Sequence, residues 1–492
     1  MKTKIKYSWL LCLLVFSACN SWIDITPSDR LNEDMLFKDR RGFEKAINGI
    51  YVGLTDRSLY GRNMSAGAID MMAQYYKYGS GTDLNSLLGD YNYEYKDVKE
   101  IFQDYWEKAY ALILNCNIII EKCEERKEVL SDVYYGLYKG EALALRAMLH
   151  LDLLRLFGPV YDETSKSVES IPYVTNSDAN ISSLLAAESV LNLVIGDLET
   201  AADFLREVDP ILTEGVRNEA NISGDNSLYY RQYRLNYYAV QALLVRAYVW
   251  EQRKGEALAI AERIIGEVQV EGAEIFPFVT NEAAKDATNP DRVFSTEVMF
   301  ALYDSYRGKE IQDKLFLPTL DQIYTFTGKH LELGNEYSFY ASENDYRRGV
   351  WANYSDAGKT VSYHRKYEDV PEGKSTSFGC MVPLIRLSEL YLIAAECCED
   401  FTKAKNYLDK VRNSRNCPSS SVTESTLMEE ITKECRREFL GEGQMFFFYK
   451  RKAMQQIPNG RFEREEDSPI KVMNINDYVV PLPESETDMR TN

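Results

Sequence analysis

Histidine is nearly missing from this chain: three occur in 492 residues, at positions 150, 330 and 364, and none stands in an HExxH or other ligand spacing. That removes the helical zinc-peptidase motif, and no metal or cofactor is expected. No GxSxG elbow, Walker A loop or GxGxxG fingerprint occurs, so serine-nucleophile, nucleotide-hydrolysing and dinucleotide chemistries have no motif behind them. Basic charge is scarce too. With 57 Lys and Arg against 76 Asp and Glu, a net charge of −19 argues against nucleic acid as a partner, since such binding rests on Lys and Arg meeting phosphates. The nine Cys form no CxxC pair, and the adjacent Cys397 and Cys398 cannot both face one partner from a helix, so buried free thiols are expected. Beyond the first nineteen residues no apolar run is long enough to cross a membrane.

What is abundant is tyrosine, 35 residues beside 20 Phe, in an otherwise ordinary globular composition of 45% apolar and 27% charged residues. A phenol hydroxyl needs a polar partner, so most Tyr should pack helices while a fraction lines wet surfaces or a ligand site. The helical signal is strongest over residues 383–415, which read as two antiparallel helices. Leu387, Leu390, Tyr391 and Ala394 recur at i, i+3, i+4, i+7, Ala394, Ala395 and Ala404 permit a close crossing, and Leu408 and Val411 continue the stripe. Val240, Leu243, Leu244 and Ala247 repeat the plan, with Ala247 and Ala257 spaced like Ala394 and Ala404. These pairs resemble tetratricopeptide hairpins, which stack because none buries its apolar face alone.

Further helices are expected over 42–54, 98–125, 133–157 and 184–206, with Gly158 and Pro159 ending the third. His150 falls beside the Leu149, Leu153, Leu156 stripe and reads as a packing residue, while Lys450, Arg451 and Lys452 read as a solvated helix face. One stretch, 292–308, alternates as a strand. Two regions, 60–95 and 303–380, lose helical period and become aromatic; loops of that length are functional or disordered, and the aromatics argue against disorder.

The N-terminus holds three Lys, ten apolar residues at 9–18 and then Cys19. Ten residues make about 15 Å of helix, half a hydrocarbon core, so the run reads as the core of a signal peptide. Val15, Phe16, Ser17, Ala18 and Cys19 resemble a lipobox, with Phe16 where Leu is usual. The expectation is removal of residues 1–18 and a lipid anchor on Cys19; the alternative is ordinary secretion with cleavage nearby.

Cys19, an Ile23-Asp24-x-x-Pro27 segment, Phe37 and an Ala46-x-Asn48-Gly49-x-Tyr51 helix, in that order, resemble the SusD/RagB family. So do Glu141, Ala142, Arg146, Ala147, Leu153, Phe157 and Gly158, then Glu434, Arg436, Arg437, Glu438, Glu442, Gly443 and Arg451, and a closing Pro-x-Pro within 478–483. Phe448 stands where the family has Asp and Met445 where it often has Arg, departures that bear on a local ion pair and not on the fold. The resemblance implies a mostly α, tetratricopeptide-like helix-pair scaffold with long irregular ligand-side loops and little β. Residues 19–292 and 293–492 would form its two regions within one compact unit. It further implies an outer-membrane, cell-surface lipoprotein, not an enzyme, that captures an oligosaccharide or polysaccharide and delivers it to a partner TonB-dependent, SusC-like transporter docked on the helix-pair face. Two alternatives stand beside it: a peptide-capturing member of the family, and an (α/α) barrel glycoside hydrolase, which needs only two carboxylates brought together in space.

Sugar rings present apolar C–H faces flanked by hydroxyls, which a flat ring bearing a hydrogen-bonding group fits best. Tyr75, Tyr76 and Tyr78, with Asp70 and Asn85, form one candidate ligand cluster. Tyr303, Tyr306 and Tyr324, with Arg307 as a planar donor and Trp351 as a further platform, form the second. The resemblance implies that the two loop regions meet on one face. For each Tyr the competing reading is simple packing of loop onto helix.

Overall fold

The structure is a computed structural model describing residues 33–78, 81–178, 181–221, 225–317, 333, 338–356, 358–369, 378–461 and 468–491. Cys19 with its lipobox, and Tyr324, lie outside the described residues. The longer helices are α1 (Arg40–Leu54), α2 (Lys96–Glu125), α3 (Asp132–Phe157), α4 (Ala187–Val208), α5 (Tyr237–Trp250), α6 (Lys254–Val268), α7 (Leu387–Cys397), α8 (Phe401–Ser414), α9 (Leu427–Glu438) and α10 (Met445–Arg451). Their starts follow from capping chemistry: the side chains of Asp39, Asn236 and Asp400 accept from the backbone N–H groups of Gly42, Ala239 and Lys403, satisfying donors that a first helical turn leaves open.

Each of the first eight helices packs on the next, α1 on α2 and onward to α8, and α6 meets α7 although strands and irregular segments intervene in sequence. This is the stacked helix-pair scaffold. Ala247, Ala257, Ala394 and Ala404 are fully buried at the crossings, where small side chains let two backbones approach. Gly140 does the same between α3 and α4: a Cβ there would lie 2.9 Å from Leu205 Cγ. Every residue of α5 is buried, as befits a helix enclosed on all sides.

Strands are short but more numerous than the single one expected. β1 (Glu169–Ile171) pairs with β2 (Leu185–Ala186), β3 (Val298–Tyr303) with β6 (Met381–Arg386), β4 (Trp351–Asp356) with β5 (Lys359–His364), and β7 (Gln456–Pro458) with β8 (Ile470–Val472), all antiparallel and two-stranded. The hairpin expected over 383–415 therefore begins late. Pro383 to Arg386 are strand, and the helix starts at Leu387. β6 is buried at all six positions, so it lacks the alternation that betrays a half-exposed strand.

The polar part of the core is a guanidinium and carboxylate network. Arg386 donates to Glu297 at 2.7 Å, Glu438 at 2.7 Å and Glu442 at 2.8 Å. Arg415 donates to Glu438 at 2.7 Å and Glu297 at 2.9 Å, and Arg347 to Glu434 at 2.6 Å, Glu438 at 2.7 Å and Asp345 at 2.7 Å. All of these groups are buried. Burial would raise the Glu438 carboxyl, but the Arg415 and Arg386 guanidinium ions outweigh it and hold the group well below the usual carboxylate range. A second set joins Tyr51 and Arg231 to Glu141, and Arg146 to Asp197.

The Lys450, Arg451, Lys452 run is not a solvated face. Lys450 is buried and donates to the carbonyls of Leu156 at 3.1 Å and Gly158 at 2.7 Å, while Arg451 pairs with Glu396 at 2.7 Å, so α10 caps the end of α3. His150 does pack: Nδ1 meets the Arg146 carbonyl, Nε2 accepts from Val174 N–H, and the ring stacks at 3.9 Å on Tyr173. Burial lowers its pKa to about 3, so it is neutral.

Candidate functional site

The two aromatic regions have opposite fates. In the first, Asp70 and Tyr75 are 0% exposed, Tyr76 2% and Tyr78 6%, and their polar atoms are engaged internally. Tyr75 donates to the Arg436 carbonyl at 2.6 Å, Tyr76 to the Ala66 carbonyl, and Tyr78 to the Gly89 carbonyl at 2.8 Å. Asp70 accepts from the N–H groups of Gly441 at 2.6 Å and Gly443 at 3.1 Å. Both glycines hold positive φ, and a Cβ on Gly443 would lie 2.1 Å from the Met64 carbonyl oxygen. Asn85 is half-buried on a short helix, Leu84–Gly89, capped by Asp83. The expected glycan platform there gives way to packing, because no sugar face reaches a ring with so little exposed surface.

In the second region the chain is built to present rings. β3 ends at Tyr303, opposite Met381 of β6, and the next residue turns sharply: Asp304 N–H donates to the Cys380 carbonyl at 2.7 Å while its carboxylate accepts Tyr306 N–H at 2.8 Å. Tyr303 and Tyr306 are left 64% and 67% exposed, and the Tyr303 ring meets Tyr233 edge-on at 5.8 Å. Arg307 turns inward, 3% exposed, with Nη1 donating to the Met381 carbonyl. It opens a π-helical stretch, Gly308–Phe316, a form that recurs at functional sites. Trp351 is half-buried at the start of β4, its Nε1 donating to the Tyr340 hydroxyl at 2.8 Å and its ring edge-on to His364 at 4.8 Å, so much of it is already covered.

Arg307 also lines a cavity of about 370 Å³, together with Arg292, Arg365, Lys366, Glu368 and Asp369. Glu368 accepts from Arg365 Nε at 2.7 Å and pairs with Arg292 at 2.9 Å, so one carboxylate serves two guanidinium ions. Lys366 is committed inward to Glu442 and to the Leu440 carbonyl. Burial lowers the Arg307 pKa, and burial with Arg365 nearby lowers that of Arg292. Arg292 carries no sequence signal toward Arg365 and Glu368, which lie more than 70 residues on and outside any motif. Among the described residues no group of three His, Cys, Asp or Glu converges as a metal site.

The description "SusD family" matches residues 229–492, and "Starch-binding associating with outer membrane" matches residues 22–213. The chain belongs to the SusD family. SusD-like protein P25 of Formosa agariphila is 21% identical over 83% of this chain and 81% of its own length. SusD-like protein P38 of the same organism is 26% identical, but the match spans only 35% of that protein. A SusD superfamily structure from Bacteroides vulgatus superposes with TM-score 0.71 at 21% identity, covering 92% of this chain and 98% of that one. Surface glycan-binding protein A from Bacteroides uniformis superposes with TM-score 0.64 at 16% identity, covering 91% and 97%. The mostly α fold with little β is thus that of SusD-like structures.

Proposed function

We propose that this protein binds glycan on the Tyr303–Tyr306 turn and delivers it to a TonB-dependent outer-membrane transporter, from a lipid anchor on Cys19. The observation that carries the binding reading is the pair of exposed rings on the turn that Asp304 fastens, beside candidate Tyr75, Tyr76 and Tyr78 that are buried and hydrogen-bonded internally. An exposed phenol offers the flat apolar face and adjoining hydroxyl that a pyranose needs. The relatives' names support it: one solved structure is described as a SusD-like carbohydrate binding protein and another as a surface glycan-binding protein. Tethering fits the lipobox, and among the described residues no helix is long and apolar enough to cross a membrane.

Binding without bond cleavage is the activity proposed. Calorimetry against a panel of polysaccharides tests it, with Tyr303→Ala and Tyr306→Ala as variants; release of reducing ends on prolonged incubation would instead reveal a hydrolase, and a preference for oligopeptides would move the ligand class. Cys19→Ala should free the protein from the outer-membrane fraction, because acyl chains contribute ~0.8 kcal/mol per buried CH₂ and two or more are needed for stable anchoring.

A further inference from the structure

Most buried arginines here are neutralised by carboxylates. Arg307 is an exception: among the described residues no Asp or Glu oxygen lies within ion-pairing distance of it, and its Nε, buried, has no hydrogen-bond partner. A guanidinium with an open donor in low dielectric is costly unless something negative completes it. The same cavity holds Arg292 and Arg365 sharing the single carboxylate of Glu368, so its wall carries more positive than negative charge in a chain whose net charge is −19. Asp369 stands exposed among the lining residues and answers only part of that excess. A planar guanidinium is suited to carboxylate and sulfate oxygens, which it can meet with two parallel hydrogen bonds.

Tyr306 immediately precedes Arg307 in the chain, so the exposed ring is one residue from the cavity wall. A cavity of about 370 Å³ admits a charged substituent with part of a sugar ring. We propose that this cavity is an anion subsite beside the tyrosine turn, formed by Arg307, Arg292 and Arg365, and that the protein's ligand is an acidic glycan, one carrying carboxylate or sulfate groups. The inference rests on the glycan-binding reading above and narrows it to a substrate class. The negative surface of the protein repels such polymers at long range, so the selectivity has to come from this local site and should weaken as salt screens it.

The test uses the full chain and two matched pairs of probes: oligogalacturonides against their carboxyl-reduced forms, and dextran sulfate against dextran. The expected result is at least about tenfold tighter binding of the charged member of one pair at low salt, the scale of a charge-assisted bidentate contact. A preference confined to the first pair assigns carboxylate, and one confined to the second assigns sulfate ester. Arg307→Gln should remove most of that preference. Because Arg307 is buried, the double variant Arg292→Gln/Arg365→Gln, at half-exposed positions, is measured beside it with melting temperatures for both. Equal binding of neutral and charged members, lost in Tyr306→Ala, overturns the anion subsite and leaves the glycan-binding reading standing. A charge preference that survives in all the Arg variants overturns the subsite as well, and binding of neither kind of glycan overturns both readings.

Discussion

Two clusters of arginine lie close together in this fold and are treated in opposite ways. In the first, Arg386, Arg415 and Arg347 are surrounded by Glu297, Glu434, Glu438, Glu442 and Asp345, and carboxylate oxygens meet their donors at 2.5 to 3.2 Å. In the second, Arg307 has no carboxylate partner among the described residues, and Arg292 and Arg365 divide one. Lys366 bridges the two, lining the cavity while pairing with Glu442 of the network. The compensated cluster ties β6, α8 and α9 into one body. The under-compensated cluster gains less for the fold from its charge, since Glu368 alone answers Arg292 and Arg365.

The sharpest way to break this contrast is to remove one cation from each side. Arg415→Gln takes one buried cation from Glu297, which keeps Arg386, and from Glu438, which keeps Arg386 and Arg347, and should cost about 3 kcal/mol in urea denaturation. Arg307→Gln removes a charge without a carboxylate partner and a single hydrogen bond, to the Met381 carbonyl, and should cost less, about 1 to 2 kcal/mol. If both variants lose stability equally, Arg307 belongs to the scaffold and the distinction between the clusters fails.

Acid sharpens the compensated side. Burial would raise the Glu396 carboxyl, but Arg451 and then Lys452 bring it down to about 2 from an ordinary 4.5. A carboxyl with a lowered folded-state pKa contributes stability that is complete above 4.5 and is lost as pH falls through about 2. The proton-linked part amounts to roughly 3 kcal/mol at neutral pH. Stability measured against pH should therefore show a gap between the native chain and Glu396→Gln that is widest near neutrality and closes toward pH 2. A gap independent of pH would mean that the pair stabilises by packing alone.

The scaffold was legible because its signals are local. The helix expected over 98–125 runs Lys96–Glu125, and that expected over 133–157 runs Asp132–Phe157, since apolar spacing and end signals reside within the segment itself. The family motif was legible as well, but its residues do structural work: Glu141, Arg146, Glu434, Glu438 and Glu442 all lie in buried polar networks. The candidate site was legible only in residue type. Tyr75 and Tyr306 are alike in composition and loop context, yet one is sealed by a contact with Arg436, 361 residues away, and the other is held outward by its own turn. No periodicity encodes that choice where the chain is irregular. β4 and β5 escaped for a related reason, being a hairpin with no continuous apolar face.

Tyr75→Phe and Tyr306→Ala separate the two tyrosine environments at the smallest scale. The first deletes the buried hydroxyl that donates to the Arg436 carbonyl and should lower stability by about 1 kcal/mol, with glycan affinity unchanged. The second removes a ring that is 67% exposed, so its stability should stay within about 0.5 kcal/mol of the native chain. Its effect should appear in binding, where losing an aromatic platform costs about 1 kcal/mol or more. The turn itself survives the change, because the Asp304 carboxylate holds the backbone N–H of residue 306 and not its side chain. A Tyr306→Ala variant with lowered stability and intact affinity would place that ring with the packing tyrosines of the first region, and the ligand face would have to be sought elsewhere.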